Sequence, residues 1–516
     1  MKNHSPFPMH PAAPTQYADW KAPAGDGELL LWPESDALLR DTEGNARRLS
    51  SAESVLVQGV PLPEWRRRLR QWIGHSDDGR PLVAAGHQTE LYHPGVWAKN
   101  ALIDAVATRV GGSAYHFAVD TDEPKHLHLR WPGTGPAGLP LLDDAPAQGA
   151  QWSELLPPPT PAHLERLRRD LQSASSGWGF RPLALEFLES MRRLSLEARD
   201  LPSTLTNALH ELDWGLGLRH HALLFSPVCF SEPYLAFACH VLGRAGQFAA
   251  DYNDSLEAYR RAHRVKAPGR PMPNLKLSAD SCEVPFWVDC LEKETRERAT
   301  VERREDAWAL VHPCGSEFVF QPRAEAGALV HEFGKWLRAN RLRLSPRALT
   351  LTMVLRMLVA DQFAHGIGGA RYDQVADALI AKHFGLEPPR FCVTTATLYF
   401  PQAVGRPRAC VSCVVQEGHR LQHSLLGPEK ERFVEAIAAA PRGSIERSVL
   451  FTEMHRRRQR AAASHPALGE WEQRLREVER QHAEETELFD RELFYAIQPA
   501  ERLEGLVARY RAAVSG

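Results

Sequence analysis

The sequence predicts an α/β fold with a parallel sheet at its core, helical insertions and a C-terminal helical arm. Three observations predict it: short apolar runs typical of buried strands, longer segments with apolar residues at helical spacing, and charged amphipathic segments towards the end of the chain. The 516 residues are enough for two or three structural units.

The first part of the core is predicted over residues 1–135, and its clearest element is a strand–helix–strand unit. The strand RPLVAAG, residues 80–86, is followed by GVWAKNALIDAVATRV, residues 95–110, whose apolar residues recur at helical spacing. The alternating stretch SAYHFAV, residues 113–119, is typical of a second strand. This order is the βαβ unit of a parallel sheet.

A helical insertion is predicted over residues 136–216. The proline run at 157–159 ends any regular element, because proline lacks the backbone N–H that helices and sheets use. From His163 to about Leu216 the apolar residues recur at helical spacing. The insertion therefore interrupts the sheet.

Residues 217–400 are predicted to complete the core. HHALLFSP, residues 220–227, is typical of a buried strand. SEPYLAFACHVL, residues 231–242, predicts a helix with Ser231 at its N-cap. Apolar and charged residues alternate over 283–311, which indicates an antiparallel meander. Residues 346–385 predict a helix, a glycine-rich turn and a second helix. Residues 401–516 predict a helical or coiled-coil arm suited to self-association.

Composition and charge exclude several classes of function. A formal net charge of -2 provides no basic field to hold nucleic acid, and 43% hydrophobic residues is typical of a globular protein. The chain opens without a secretory signal pattern, and no run is apolar enough to span a bilayer, so we expect a cytoplasmic protein with no membrane partner. The eight scattered cysteines favour reduced thiols over a disulfide framework.

Polar residues follow two of the predicted strands, at the rim where parallel sheets bind ligands. We expect one cleft to contain His87, Gln88, His93, Asp120, Asp122, His126 and His128. Neutral histidine exchanges protons near pH 7, and the aspartates can orient it or hold a metal, although no third metal ligand is fixed. The free N–H groups of the helix after Pro94 would seat a phosphate or carboxylate. The simpler interpretation is that these residues cap helices and fill turns.

Two further motifs give weaker signals. The glycines of HGIGGARYD, His365–Asp373, can cradle phosphate, and Arg371 would favour that role, but the preceding element is predicted to be helical, which favours a tight corner between helices. The second motif combines Cys410, Cys413, His419 and His423. Its pair spacings suit zinc, but the short connection favours a buried strand with two apolar thiols.

Residues 344–398 predict a helix, a glycine-rich turn, an aromatic residue and a second helix. A proline-containing connection then leads into an extended stretch with the sequence ATL. Upstream, the stretches GHQTELYHPG, DTDEPKHLH and YNDSLEAYRRAH fall in a matching order. In these features the chain resembles the bacillithiol-synthesis cysteine-adding enzymes, cysteine ligases thought to join cysteine to glucosaminyl-malate, over most of its length. It departs from them at Ala370 and Arg371, where the family has Gly and Glu, and at Thr121, where the family has the central His of an Asp-His-Asp motif.

The resemblance implies a Rossmann-like core similar to class I nucleotidyl-transferring synthetases, and a C-terminal coiled coil through which the chain forms a homodimer. It implies a small-molecule substrate; the cofactor stays open, with ATP or ADP as the candidate. The substrate-binding residues assigned on this basis are Gly86, Gln88, Gly95, Lys99, Tyr252, Asn253, Gly368, Gly369, Arg371 and Tyr372. Lys99 stands about two positions before the lysine of the family.

The sequence therefore predicts a C–N bond-forming ligase without an assigned metal site. The predicted catalytic residues are His87, His93, Asp120, Asp122, His126 and His128. Because Thr121 replaces an imidazole, His87, His93 or His126 would supply the acid or base. Two alternatives stay open: a nucleotidyl transferase of the same fold, whose histidines stabilise a pentavalent phosphate, and a non-catalytic scaffold that acts through its arm.

Overall fold

The structure, a computed structural model, describes residues 20–76, 78–144, 152–267, 269, 272–312, 315–321, 326–406, 409–463 and 465–515. The chain forms two compact units. The first comprises the described residues up to Leu398 together with those from Arg491 onward, and the second is Tyr399–Asp490. The last helix, predicted as part of the arm, therefore belongs to the first unit.

The elements of the described residues are numbered in chain order. The strands are β1 Leu29–Trp32, β2 Leu56–Val57, β3 Val60–Pro61, β4 Leu82–Gln88, β5 Ser113–Val119, β6 His128–Leu129, β7 Leu139–Pro140, β8 His221–Leu224, β9 Ser281–Cys290, β10 Thr295–Arg304, β11 Ala307–Val311, β12 Glu317–Phe320, β13 Leu342–Pro346, β14 Gln362–His365 and β15 Phe391–Ala396. The helices are α1 Ser35–Ser50, α2 Leu62–Trp72, α3 Pro94–Val110, α4 Pro161–Ser175, α5 Ala184–Leu194, α6 Leu201–Gly215, α7 Glu232–Leu242, α8 Ala245–Ala262, α9 Ala326–Ala339, α10 Ala348–Val354, α11 Ile367–Leu379, α12 Val411–Ser424, α13 Pro428–Ala439, α14 Ile445–Ala463, α15 Pro466–Leu488 and α16 Ala500–Ser515.

A six-stranded sheet in the order β1-β15-β14-β4-β5-β8 forms the centre of the first unit. The strands from β15 to β8 are parallel, and only the edge strand β1 runs antiparallel to its neighbour. The chain builds β4, β5 and β8 outward in one direction and then returns to add β14 and β15 on the other side of β4. The prediction of an α/β fold with a parallel sheet is confirmed, and the order reverses between β4 and β14.

The predicted βαβ unit is confirmed as β4, α3 and β5. Leu82 to Ala85 are fully buried, as expected for a strand covered on both faces. Helix α3 begins at Pro94, whose fixed φ suits the first helical position, and ends at Gly111 in the left-handed conformation with φ 65°. It packs between the sheet and α16, so most of its residues are buried. Residues 86–95, which form the end of β4 and the turn into α3 and are called the β4 turn below, are therefore all buried or half-buried.

Helices α4, α5 and α6 form the predicted helical insertion before β8. The following strand was predicted to be buried, which is wrong: β8 is an edge strand, and His221 at its start is exposed. Helix α7 begins at Glu232 with Ser231 at the N-cap position, as predicted. The Ser231 hydroxyl donates to the Val228 carbonyl instead of accepting from the helix, because the preceding turn places that acceptor within 2.7 Å.

The predicted antiparallel meander is confirmed as β9 to β12. These strands form a five-stranded antiparallel sheet in the order β12-β11-β10-β9-β13. The additional strand β13 comes from the segment after α9 and pairs with β9 from Leu342↔Cys290 to Pro346↔Phe286. This pairing brings the residues after β13 close to the central sheet.

The prediction of a helix, a turn and a helix over residues 346–385 is wrong in one respect. Gln362–His365 is the strand β14 of the central sheet, so the glycine-rich turn follows a strand and not a helix. The four residues are all buried, and over so short an apolar run periodicity does not separate a strand from a helix. Helix α10 ends before it through a wider helical turn over Leu355–Val359.

The second unit consists mainly of helices α12 to α15. Helix α12 packs against α15, and α13 packs against α14. The Trp471 Nε1–H donates to the Val414 carbonyl at 2.7 Å and ties α15 to α12. Among the described residues of the whole chain, no helix has both the length and the apolar character needed to cross a membrane.

Candidate active site

A cleft of about 860 Å³ opens at the carboxyl ends of β4, β5 and β14, beside the reversal of strand order. Open parallel sheets bind their ligands at this position. The predicted site residues that line the cleft are Gly86, His87, Gln88, His93, Gly95, Lys99, Asp122, Tyr252, Gly368, Gly369, Arg371 and Tyr372. The structure therefore brings two segments predicted separately, the β4 turn and the glycine-rich turn, to one site.

Four predicted residues do not line the cleft. Asp120 is completely buried and accepts hydrogen bonds from the Phe225 and Ser226 N–H groups, so it holds the end of β8. The Asn253 side chain pairs with the backbone of Leu275. The remaining two, His126 and His128, are exposed outside the cleft lining.

His93 caps the start of α3. Its Nδ1 accepts from the Gly95 N–H at 3.0 Å, and its carbonyl accepts from the Val96 and Trp97 N–H groups. The expectation that α3 offers free N–H groups to an anion is therefore wrong, because the first turn already uses them and Pro94 has none. Burial lowers the pKa of His93 to about 3, so the neutral ring carries its proton on Nε2 and acts as a donor.

His87 and Glu90 form an imidazole–carboxylate pair. His87 Nε2 lies 3.0 Å from Glu90 Oε1, and the other Glu90 oxygen accepts from the Lys125 N–H at 2.8 Å. Burial and the charge of Lys99 lower the pKa of His87 to about 4. Although burial opposes ionisation of Glu90, the hydrogen bond from His87 lowers its pKa below the ordinary value. With Nε2–H donating to Glu90, Nδ1 is the ring atom left to accept a proton.

Lys99 is a buried cation next to these histidines. Its Nζ donates to the Gly86 carbonyl at 2.7 Å, and 5% of the residue is exposed. Burial lowers the pKa of Lys99 to about 8. The ammonium is therefore charged at pH 7 but incompletely solvated, which makes it a strong binding group for an anion in the cleft.

A hydrogen bond between Gln88 and Asp122 connects the end of β4 to the segment that follows β5. Gln88 Nε2 donates to Asp122 Oδ2 at 3.0 Å. Thr121, the residue before Asp122, is buried, and its carbonyl accepts from Arg296 at 2.7 Å. This anchoring from the antiparallel sheet leaves the Asp122 carboxylate on the cleft wall, where it can bind an ammonium group.

The glycine-rich turn, residues 366–369, also lines the cleft. Helix α11 begins at Ile367, directly after β14, and its first N–H groups have no acceptor within the helix. No atom lies within 4 Å of the place where a Cβ would stand on Gly366 or Gly368. The start of α11, and not that of α3, therefore presents open backbone N–H groups to the cleft, as anion sites require.

His365, the last residue of β14, forms a second imidazole–carboxylate pair. Its Nε2 lies 2.9 Å from Asp373 Oδ2, and Asp373 also accepts from Arg356 and Thr352. Although burial opposes ionisation, the Arg356 guanidinium holds the pKa of Asp373 well below its usual range. Burial lowers the pKa of His365. A Cβ on Gly369 would lie 2.9 Å from His365 Nδ1, so glycine is needed there for the close approach.

The charged residues of the cleft are mainly cationic. Within the described lining the cations are Lys99, Lys125, Arg347, Arg371 and Arg491, and the acid is Asp122. Arg347 is paired with Glu283 at 2.7 Å, and Arg371 donates to the Trp20 carbonyl at 2.8 Å. The cleft is thus a positive region in a chain of net charge -2, which favours an anionic ligand.

Sequence reasoning missed several residues of this site. Glu90 stands three positions after His87, and that spacing in a strand–turn segment was the available signal. His365 stands at the start of the glycine motif, but sequence patterns do not identify it as a site residue because they do not reveal strand β14. Arg347 and Arg491 come from distant segments, and no local pattern marks them.

The predicted alternatives for Cys410 and Cys413 do not match the structure. The two sulfurs form a disulfide with each other, at the exposed start of α12 and not in a buried strand. While this disulfide is closed, the pair has no thiolate to bind zinc. Across the described part of the chain, no group of three or more His, Cys, Asp or Glu side chains has an arrangement that could hold a metal ion.

Comparison with known proteins identifies no family. No protein-family model matches the chain, and no curated protein matches it significantly.

Proposed function

We propose that this chain is a small-molecule ligase that joins an amine to a carboxyl group in the cleft. The resemblance to the bacillithiol-synthesis cysteine-adding enzymes makes cysteine and glucosaminyl-malate the first substrates to test. The observation that carries the proposal is the cationic cleft at the reversal of strand order, which is lined by the neutral His87 ring paired with Glu90 and by an open helix start.

The proposed fold assignment is Rossmann-like and similar to class I synthetases. Counting only the parallel strands in chain order, the sheet has the order 3-2-1-4-5. This is the order of doubly wound nucleotide-binding folds, which supports the assignment. Fold alone does not select a chemistry, so the function rests on the site.

The carboxylate of a malate-like substrate would bind between Lys99 and Arg371, which leaves the N–H groups of Gly368 and Gly369 for the phosphates of a nucleotide. Guanidinium and ammonium groups form charge-assisted hydrogen bonds with carboxylates, and a helix start adds a partial positive charge. The Asp122 carboxylate would hold the ammonium group of the second substrate. Lys99, Arg371 and Asp122 all line the cleft, so both charged groups of the substrates would have an oppositely charged partner there.

His87 is the proposed general base. Its Nδ1 can accept a proton from the attacking amine while Nε2–H stays bonded to Glu90, which stabilises the imidazolium that forms. His93 keeps a proposed role as donor through Nε2. Asp120, buried against β8, is assigned to the support of the site and not to the reacting atoms.

A nucleotidyl transferase of the same fold is the second candidate. The observation that favours it is the strand–glycine turn–helix arrangement of β14 and α11, which suits phosphate oxygens. In a ligase, the same turn would bind the phosphates of ATP. ATP is the candidate cofactor that would activate the carboxyl group that becomes part of the amide. Nucleotide binding is therefore common to both candidates, and the product distinguishes them.

A homodimer through the helices of the second unit stays a prediction. Several apolar side chains on α13 and α14 are exposed, among them Val434, Ile445, Val449 and Phe451. Exposed apolar patches of this kind are typical of association surfaces. Light scattering after size-exclusion chromatography would give twice the chain mass of 57.8 kDa for a dimer and the single chain mass otherwise.

Mass spectrometry of reaction mixtures tests the proposed function. The chain, cysteine, glucosaminyl-malate and ATP should give an amide of the two substrates that is absent when either is omitted. His87→Ala should lower its rate by about 100-fold or more, as loss of a general base does. The control Arg109→Ala changes an exposed cation on α3, away from the cleft, and should keep full activity. Pyrophosphate release without amide would support the transferase, and no product or ligand binding at all would support the scaffold.

A further inference from the structure

The start of α12 contains an accessible pair of cysteines. Cys410 and Cys413 form a disulfide, and both residues are exposed. Cys410 occupies the N-cap position, where its Sγ accepts from the Cys413 N–H at 3.2 Å and lies 3.5 Å from the Ser412 hydroxyl. Helix N-termini stabilise a thiolate, because their N–H groups and the helix dipole favour negative charge.

We propose that Cys410 and Cys413 form a redox-active dithiol centre that exchanges with low-molecular-weight disulfides, separately from the cleft. The other described cysteines, Cys229, Cys239, Cys282, Cys290 and Cys392, are free but buried. Burial raises the pKa of Cys392 to about 12, and it raises the pKa of Cys229 and Cys239 further. Exposure and helix position therefore distinguish this pair from the inert thiols.

The exchange proceeds in two balanced steps. The Cys410 thiolate attacks one sulfur of a disulfide R–S–S–R, which forms the mixed disulfide Cys410–S–S–R and releases R–S⁻. The Cys413 thiol loses its proton to solvent and attacks the Cys410 sulfur, which closes the Cys410–Cys413 disulfide and releases a second R–S⁻. Two electrons pass from the dithiol to the small disulfide. An excess of the small thiol reverses both steps.

Nearby carboxylates are already engaged. On the facing helix α15, Glu485 accepts from the Ala409 N–H at 2.7 Å. On α12 itself, Glu417 is paired with Arg474. The Arg474 guanidinium offsets the charge of Glu417, whereas Glu485 is bound to the Ala409 backbone N–H. The thiolate at Cys410 therefore depends on the N–H groups at the start of α12.

The test uses the full chain with Cys314→Ser, since Cys314 lies outside the described residues and would add a thiol of undefined exposure. In the Cys413→Ser variant, iodoacetamide should alkylate Cys410 at pH 7 about tenfold or more faster than glutathione, because an ordinary thiol of pKa about 8.5 is only ~3% thiolate at that pH. Oxidised glutathione should convert this variant to a mixed disulfide, which mass spectrometry detects.

The matched variant Cys410→Ser should form this adduct much more slowly, because Cys413 lies inside the first turn and not at the N-cap. Both variants should melt at the temperature of the parent, since the side chains are exposed. Air-oxidised parent protein should show no alkylation of the pair until it is reduced. Alkylation of Cys410 no faster than glutathione, or equal adduct formation in the two variants, would overturn the proposal.

Discussion

Lys99 is expected to lower the stability of the ligand-free protein, so Lys99→Met should raise it. Burial lowers the lysine pKa from its ordinary value of 10.5 to about 8, which corresponds to ~3 kcal/mol lost by the folded state at pH 7. Methionine fills a similar volume without a charge. The lost hydrogen bond to the Gly86 carbonyl costs about 1–2 kcal/mol, so a net gain of about 1–2 kcal/mol is expected.

The pH dependence of this effect has a definite sign. Because the folded pKa lies below the unfolded one, the unfolded chain binds more protons between about pH 8 and 10.5. The free energy of unfolding of the wild type should therefore gain a rising contribution over that window, which the methionine variant lacks. The advantage of Lys99→Met should be largest below pH 8 and should narrow above it.

Urea unfolding at pH 7.0 and 9.5, followed by tryptophan fluorescence, measures both quantities. Arg109→Ala is the matched control, since it removes an exposed cation from the last turn of the same helix. The control should change the free energy of unfolding by less than about 0.5 kcal/mol at either pH. A methionine variant less stable than the wild type at pH 7, or a difference that does not change with pH, would refute the reasoning.

Three further predictions follow from the packing of the site. Gly95→Ala should lower the free energy of unfolding, measured with urea, by about 1–3 kcal/mol, because the new Cβ would stand 2.9 Å from a backbone carbonyl of β15. In the control Gly44→Ala, in α1, the new Cβ meets nothing within 4 Å, so this change should be neutral or stabilising. Asp373→Asn should lower the free energy of unfolding by about 3 kcal/mol at pH 7, because it breaks a buried ion pair. Since the pKa of the wild-type carboxyl is depressed, the difference in unfolding free energy between wild type and variant should shrink as the pH falls below 4. A difference that does not change with pH would contradict that pairing. Glu90→Ala should speed amide hydrogen exchange at Lys125 about tenfold, and unaltered exchange would show that the hydrogen bond is not stabilising.

Much of the fold follows from local patterns. The βαβ unit, the helical insertion and the antiparallel meander each have a clear periodicity, and the structure contains all three. Strand β14 was missed because four buried residues between two helical segments show no alternation. The return of α16 to the first unit has no local signal either, since its amphipathic pattern resembles that of the helices before it.

The candidate site was predictable only in part. The rule that parallel strands end at one rim places His87 and Asp122 together, and both line the cleft. Asp120 differs because the next residues of the chain after β8 turn back and bind it. Open N–H groups for an anion are predicted at the start of α3, but the structure has them at the start of α11. The reason is that the His93 ring caps α3, a contact that depends on one rotamer. Such capping contacts are not fixed by residue spacing.

The most direct test of the central claim, that the cleft binds an anionic substrate between Lys99 and the glycine-rich turn, is isothermal titration calorimetry with glucosaminyl-malate. The wild type should bind it, and Arg371→Ala should weaken binding by at least about tenfold, the equivalent of one charge-assisted hydrogen bond. Arg109→Ala should bind like the wild type. Equal affinity in Arg371→Ala, or no binding of glucosaminyl-malate, cysteine or ATP by the wild type, would contradict the assignment.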